Sequence, residues 1–140
     1  MSDKEEGKGL FVTADQAEVE TVGAKTHYWY CRPDLVNTDK LNFVRAVFPP
    51  GDFHDFHNHP EMEEILYVVS GTAEQWIEKE RQILKAGDSA HIPKGLVHGT
   101  FNAGDDDLVF LAILSPADTD GPMTVDRSQE EPWKSLRQAD

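Results

Sequence analysis

Short apolar segments separated by turn-forming residues recur along most of this chain and constrain its fold more than any other feature. "THYWYC" (26–31), "NFVRAVF" (42–48), "EEILYVVSG" (63–71), "AEQWIE" (73–78), "SAHIP" (89–93), "VHGTF" (97–101) and "LVFLAIL" (108–114) are strand-length and rich in β-branched and aromatic residues. Gly, Pro, Asn or Asp closes off each of them, and helical periodicity is scarce outside the last residues. Many short strands at close spacing predict an all-β sandwich or barrel. "EKER" (78–81) and "NAGDDD" (102–107) read as hairpin connections.

At 140 residues the chain is one domain, large enough to bury a core without covalent staples. Its single cysteine, Cys31, allows no internal disulfide and reads as a small buried hydrophobe. A formal net charge of −13 would repel nucleic acid and anionic membrane, so neither is expected as a partner. No apolar run reaches the ~20 residues that span a bilayer. The polar start "MSDKEEGKG" lacks the apolar centre of a signal peptide, so the expectation is a cytoplasmic protein.

Chemistry concentrates in "GDFHDFHNHPEMEEILYVVSG" (51–71), which holds His54, His57 and His59 together with several carboxylates. Side chains alternate faces along a strand, so His57 and His59 point the same way and form a natural half-site for a first-row metal. A regular strand would send His54 to the opposite face. Asp55 and Phe53 share the parity of His57, so Asp55 is a candidate outer acceptor or general base and Phe53 a candidate apolar wall. Further along, Glu64 falls with Leu66 and Val68, and Glu63 with Ile65 and Tyr67. Parity alone leaves open which set looks inward.

The spacing Gly51-x5-His57-x-His59-x4-Glu64-x6-Gly71 resembles the first signature of the cupin superfamily. Downstream, Gly87-x5-Pro93-x-Gly95-x2-His98-x3-Asn102 resembles the second. The resemblance implies a double-stranded β-helix, or jelly-roll barrel, in which the two motifs form neighbouring hairpins with converging inner faces. It also implies that His57, His59, Glu64 and His98 hold one divalent transition metal (Fe, Mn, Ni, Cu or Zn) beside a small-molecule substrate. On this reading Glu64 is the inward carboxylate and joins Asp55 as a candidate catalytic residue. His54, Glu61, Glu63 and His91 become bystanders.

The barrel is then expected over 10–115, with 1–9 disordered and 116–140 packed on the barrel or partly disordered. Trp133 is the expected anchor of that tail, and Trp76 can either line the pocket or pack outside it. The aromatic row Tyr28, Trp29 and Tyr30 suggests core plus a subunit interface, hence a homodimer. The implied function is a metal-dependent enzyme of the dioxygenase type. Its alternatives are a redox-neutral isomerase, lyase or decarboxylase, and a binding protein without catalysis.

Overall fold

The computed structural model describes residues 9–137. The expected disorder of residues 1–9 therefore lies, Gly9 apart, outside the described residues. Among the described residues, eleven strands form two antiparallel sheets that face each other. They are β1 (Glu18–Val22), β2 (Lys25–Cys31), β3 (Asn42–Phe48), β4 (Phe53–Asn58), β5 (Glu63–Ser70) and β6 (Thr72–Ile77). There follow β7 (Glu80–Lys85), β8 (Ser89–Ile92), β9 (His98–Asn102), β10 (Leu108–Ser115) and the two-residue β11 (Val125–Asp126). One sheet runs β1-β2-β3-β10-β5-β8 and the other β11-β4-β9-β6-β7. A short α-helix, α1 (Trp133–Leu136), follows in the tail, and one 3-10 turn, Ala14–Gln16, precedes β1.

Period-two patterning drives the larger sheet. β3 alternates strictly, with Val44, Ala46 and Phe48 buried, and β10 buries Leu108, Phe110, Ala112 and Leu114 against them. β5 adds Leu66 and Val68 to this core and leaves Ile65, Tyr67 and Val69 on the outer face. Burying a side chain such as Phe48 or Leu66 contributes about 1.5–3 kcal/mol each, which fixes the register. A one-residue slip would turn the whole set outward.

Two sequence expectations about connectivity need correction. Residues 102–107 do not close a hairpin: β9 pairs with β4 and β6, whereas β10 pairs with β3 and β5. Nor is either motif a paired hairpin. β4 and β5 lie in different sheets, as do β8 and β9, and the motifs meet as β4 on β9 and β5 on β8. In each case the connecting residues carry the chain across the sandwich rather than back along one sheet. "EKER" does form a hairpin between β6 and β7, with Glu78 taking the left-handed conformation at φ 54°.

The tail also shapes the barrel. β11 pairs with β4, setting Val125 against Asn58 and Asp126 against His57. Trp133 and Leu136 cover a second apolar cluster, Phe56, Trp76, Val97 and Phe101, on the outer face of the smaller sheet. Arg137 secures the end with a 2.8 Å hydrogen bond to Glu74, and its guanidinium lies 3.8 Å from the Phe101 ring centre.

Candidate metal centre

Three strands and one loop bring four proposed ligands together inside the barrel. His57 on β4 is the cross-strand partner of His98 on β9, because the two motif strands pair there directly. His59 follows β4 in the loop before β5, and Glu64 occupies the inward parity of β5 with Leu66 and Val68. All four are nearly closed to solvent: His57 is 3% exposed, His59 6%, Glu64 6% and His98 1%. One ligand atom from each of His57, His59 and His98 lies within 4.8 Å of the others. Glu64 Oε1 is 3.2 Å from both His59 Nε2 and His98 Nε2.

Backbone carbonyls set the tautomers. His57 Nδ1 donates to the carbonyl of Asp55 (2.7 Å), His59 Nδ1 to that of Met123 (2.9 Å) and His98 Nδ1 to that of Leu96 (3.1 Å). A carbonyl only accepts, so each neutral ring carries its proton on Nδ1 and leaves Nε2 as a bare lone pair. Such outer partners orient metal-ligating imidazoles and raise their basicity. Glu64 Oε1 and His98 Nε2, although 3.2 Å apart, make no hydrogen bond and are buried without a hydrogen-bond partner among the described residues. Two acceptors facing each other in a dry site require a cation or a proton between them. Three imidazole nitrogens and one carboxylate therefore fit a divalent transition ion.

Electrostatics follow the same layout. Burial opposes the Glu64 charge, but the two facing imidazoles, His59 and His98, favour the carboxylate once either ring gains a second proton, which outweighs burial and holds the carboxyl well below the usual range. Burial likewise lowers His59, and contact with Glu64 more than reverses this, so its pKa ends up raised. His57 is pushed far down by burial and by the neighbouring imidazoles.

A pH dependence of the metal-free protein follows. His27, His54 and His57 all have folded pKa values below the ordinary 6.5, so the unfolded chain gains protons that the folded one refuses as pH falls through that value. His59 works the other way, with its stabilisation complete below 6.5 and lost as pH rises through its folded value. Glu64 contributes above 4.5 and loses that contribution only below it. Three imidazoles against one predict a lower urea midpoint at pH 5 than at pH 7 in the presence of chelator. An unchanged or higher midpoint at pH 5 would contradict the buried, neutral state assigned to His57.

Around these residues lies a cavity of about 340 Å³, within the range of small-molecule sites. Its walls are mostly apolar, with Phe48, Leu66, Phe110, Leu114 and Met123 among them. A cupin-domain family model matches residues 44–114, half of the chain and both signatures. The chain belongs to the cupin family.

Among its relatives is a putative germin-like protein 9-2 of Oryza sativa subsp. japonica, 32% identical over 87 residues, which span 59% of this cupin and 41% of the relative. The chain thus spans about two-fifths of the length of the germin-like relatives it first matches. Among solved structures, KdgF from Halomonas sp. superposes with a TM-score of 0.68 at 26% identity, over 80% of this chain and 97% of that one. An RmlC-like cupin from Shewanella frigidimarina gives 0.67 at 25% identity, over 80% and 95%.

The surroundings of the centre differ from the sequence expectation at one point, and the cause is a β-bulge. On β4, His54 pairs with Thr100 and His57 with His98, so three steps on one strand oppose two on the other. The extra residue inverts everything upstream of it. His54 therefore lines this cupin's cavity, its ring stacked on His57 with centroids 3.6 Å apart, although the residue keeps solvent contact elsewhere. Phe53, expected inside, instead stacks on Phe101 at the outer face.

Asp55 sits in the bulge. Its carboxylate accepts from the Phe56 N–H at 2.8 Å, and it is not among the residues that line the cavity. What Asp55 presents to the site is its carbonyl, on His57. Phe53 and Phe56, three residues apart, both end on the outer face beside Phe101, a placement that the bulge allows and a regular strand would not.

The remaining candidates are settled by simpler contacts. His91 pairs with Glu63 at 2.9 Å and Lys94 with Glu61 at 3.3 Å, all four exposed. Trp76 packs outside, beneath the tail, with its indole N–H donated to Glu74. Sequence reading missed Met123, whose carbonyl reaches His59 from the tail. Main-chain groups leave no residue-type signature.

Proposed function

We propose that this cupin is a metal-dependent enzyme of the dioxygenase type, acting on a small organic molecule within the barrel. The observation that carries this reading is the set of three clustered, buried imidazoles lining an apolar cavity, each with its Nδ1 proton tied to a carbonyl, and with the Nε2 of His59 and of His98 against Glu64. A bound divalent ion would supply Lewis acidity and open positions for substrate and oxygen. His57, His59 and His98 would hold it as neutral donors, and Glu64 would offset one of its charges. Phe48, Leu66 and Phe110 exclude water and hold the substrate body in van der Waals contact, while backbone carbonyls keep the imidazoles from rotating. Orientation of this kind lowers the barrier for two reactants held together.

His54 favours a second reading. A redox-neutral isomerase, lyase or decarboxylase needs a proton carrier that is not a ligand, and His54 is an imidazole placed against the ligand cluster without belonging to it. Oxygen uptake separates the two. Fe(II)-loaded protein is expected to consume oxygen with at least one of a panel of catechol, thiol and diketone substrates. Metal-replete protein that consumes none would remove the dioxygenase reading in favour of the second. A homodimer would cover Ile65, Tyr67, Val69 and Ile113, which stand 39–47% exposed on the outer face of the larger sheet. Sedimentation of the same preparation as a single 15.7 kDa species would exclude it.

A further inference from the structure

Beyond the metal ligands, a second group of polar side chains lines the same cavity from a part of the chain that the family match at 44–114 does not reach. Lys25, His27 and Trp29 share the inward parity of β2, and Glu20 on β1 pairs across to His27. The Lys25 ammonium donates to the Phe53 carbonyl at 2.7 Å and lies 5.5 Å from the centre of the Phe48 ring. His27 meets the same ring edge-on at 6.1 Å. Polar side chains and an apolar wall thus adjoin at Phe48.

Two features of this group are anomalous in a chain of net charge −13. Among the described residues Lys25 has no carboxylate partner, although its ammonium has three protons and the Phe53 carbonyl uses one. Among the described residues the Nδ1 of His27 is buried with no partner at hydrogen-bond geometry. A polar atom in that state costs free energy unless something else completes it. Lys25 also acts on its surroundings: after burial itself, its charge is among the causes that lower His54 and His27. In the geometry, the ammonium is bonded to the carbonyl of the residue before His54 and faces the same Phe48 ring that His27 meets, and His54 in turn stacks on His57.

We propose that Lys25 and His27 form a carboxylate-recognition subsite, so that the substrate of this cupin is a small organic acid whose hydrocarbon body lies along Phe48 toward the histidine cluster. The carboxylate accepts from the free Lys25 ammonium protons and from the His27 Nδ1–H. Charge matching selects a carboxylate over phosphate. One ammonium balances one negative charge, and the Glu20 carboxylate, already accepting from the Trp29 indole at 3.1 Å, lines the same cavity and disfavours a dianion. The subsite rests on the metal-enzyme reading only for the other end of the substrate. Recognition of the acid belongs to this chain's own side chains.

The test needs no metal. Isotope-labelled, chelator-treated protein is titrated with pentanoate and with pentanamide, following the Lys25 and His27 side-chain signals by NMR. Saturable shifts with pentanoate are expected, at least about tenfold weaker with the amide and in Lys25→Met, because a charge-assisted hydrogen bond is lost. Lys25→Arg, which keeps the charge, should stay within about threefold of the wild type, and His27→Phe should weaken binding less than Lys25→Met. Equal binding of acid and amide, undiminished binding by Lys25→Met, or no saturable binding of pentanoate would overturn the subsite. Metal content, measured separately on protein that has not met chelator, tests the ligand cluster. Either reading can therefore fail while the other stands.

Discussion

His98→Ala is expected to lower metal affinity by at least about 10²-fold, beyond the 10–100-fold that losing an outer partner of a ligand typically costs. Bound metal measured by elemental analysis after gel filtration should fall from near one ion per chain to a trace, and turnover should fall with it. The reason is positional. His98 is 1% exposed, pairs directly with His57 across β4 and β9, and offers a bare Nε2 beside Glu64. If the four residues were only a self-satisfied polar pocket, the same substitution would relieve two unpartnered atoms and leave metal content unchanged. His54→Ala is the matched control. It removes an imidazole from the same wall without removing a ligand, so metal should be retained.

The largest effect on stability is expected from Gly71→Ala, at the junction where β5 in one sheet passes into β6 in the other. Gly71 has φ of +87°, and a Cβ there would lie 2.5 Å from the Asp107 carbonyl oxygen and 2.9 Å from Leu108 Cα. Neither neighbour is a flexible side-chain end. Both belong to the backbone entering β10, and Leu108 is fully buried in the core. Conformational strain and a main-chain clash together should cost about 3 kcal/mol or more. Gly87→Ala shares the left-handed backbone (φ +92°) but meets nothing within 4 Å, so about 1 kcal/mol is expected there. Urea unfolding of the two variants separates them. Equal midpoints would mean that strain alone, not the close approach at Asp107, governs both sites.

The difference between β4 and β5 shows where the sequence was sufficient. In β5 the alternation of Glu64, Leu66 and Val68 with Ile65, Tyr67 and Val69 is unbroken, and one correct decision about parity orients the whole strand. The same holds for β3 and β10, whose residues follow period two throughout. β4 obeys that rule only from Phe56 onward, because the bulge is set by pairing with β9 and not by local preference. Gly99, flanked by the two registered pairs, packs so closely on Phe56 that an added Cβ would stand 3.3 Å from its ring. Such tertiary information is invisible in a list of residues. β1 and β7 were missed for another reason: they are mostly exposed and charged, so burial leaves little pattern in them. The three-histidine cluster that could hold a metal was legible from paired histidines and motif spacing. The side chains of the second subsite were not, since Lys25 and His27 join the cavity only once β2 folds against β3.

The three carbonyls that fix the imidazole tautomers bear on how this protein can change over time. Outer partners of metal ligands are commonly side chains, and a point mutation can delete them. Here Asp55, Met123 and Leu96 contribute their main-chain oxygens, which every amino acid carries. Substituting any of these residues would leave the acceptor in place, provided the local backbone holds its course. Orientation of the ligands is thus inherited with the chain path, and lineages are free to diversify the side chains around the cavity without retuning the centre. The vulnerable changes are insertions and deletions near 54–57, 95–98 or 122–125, which would shift a carbonyl instead of a side chain.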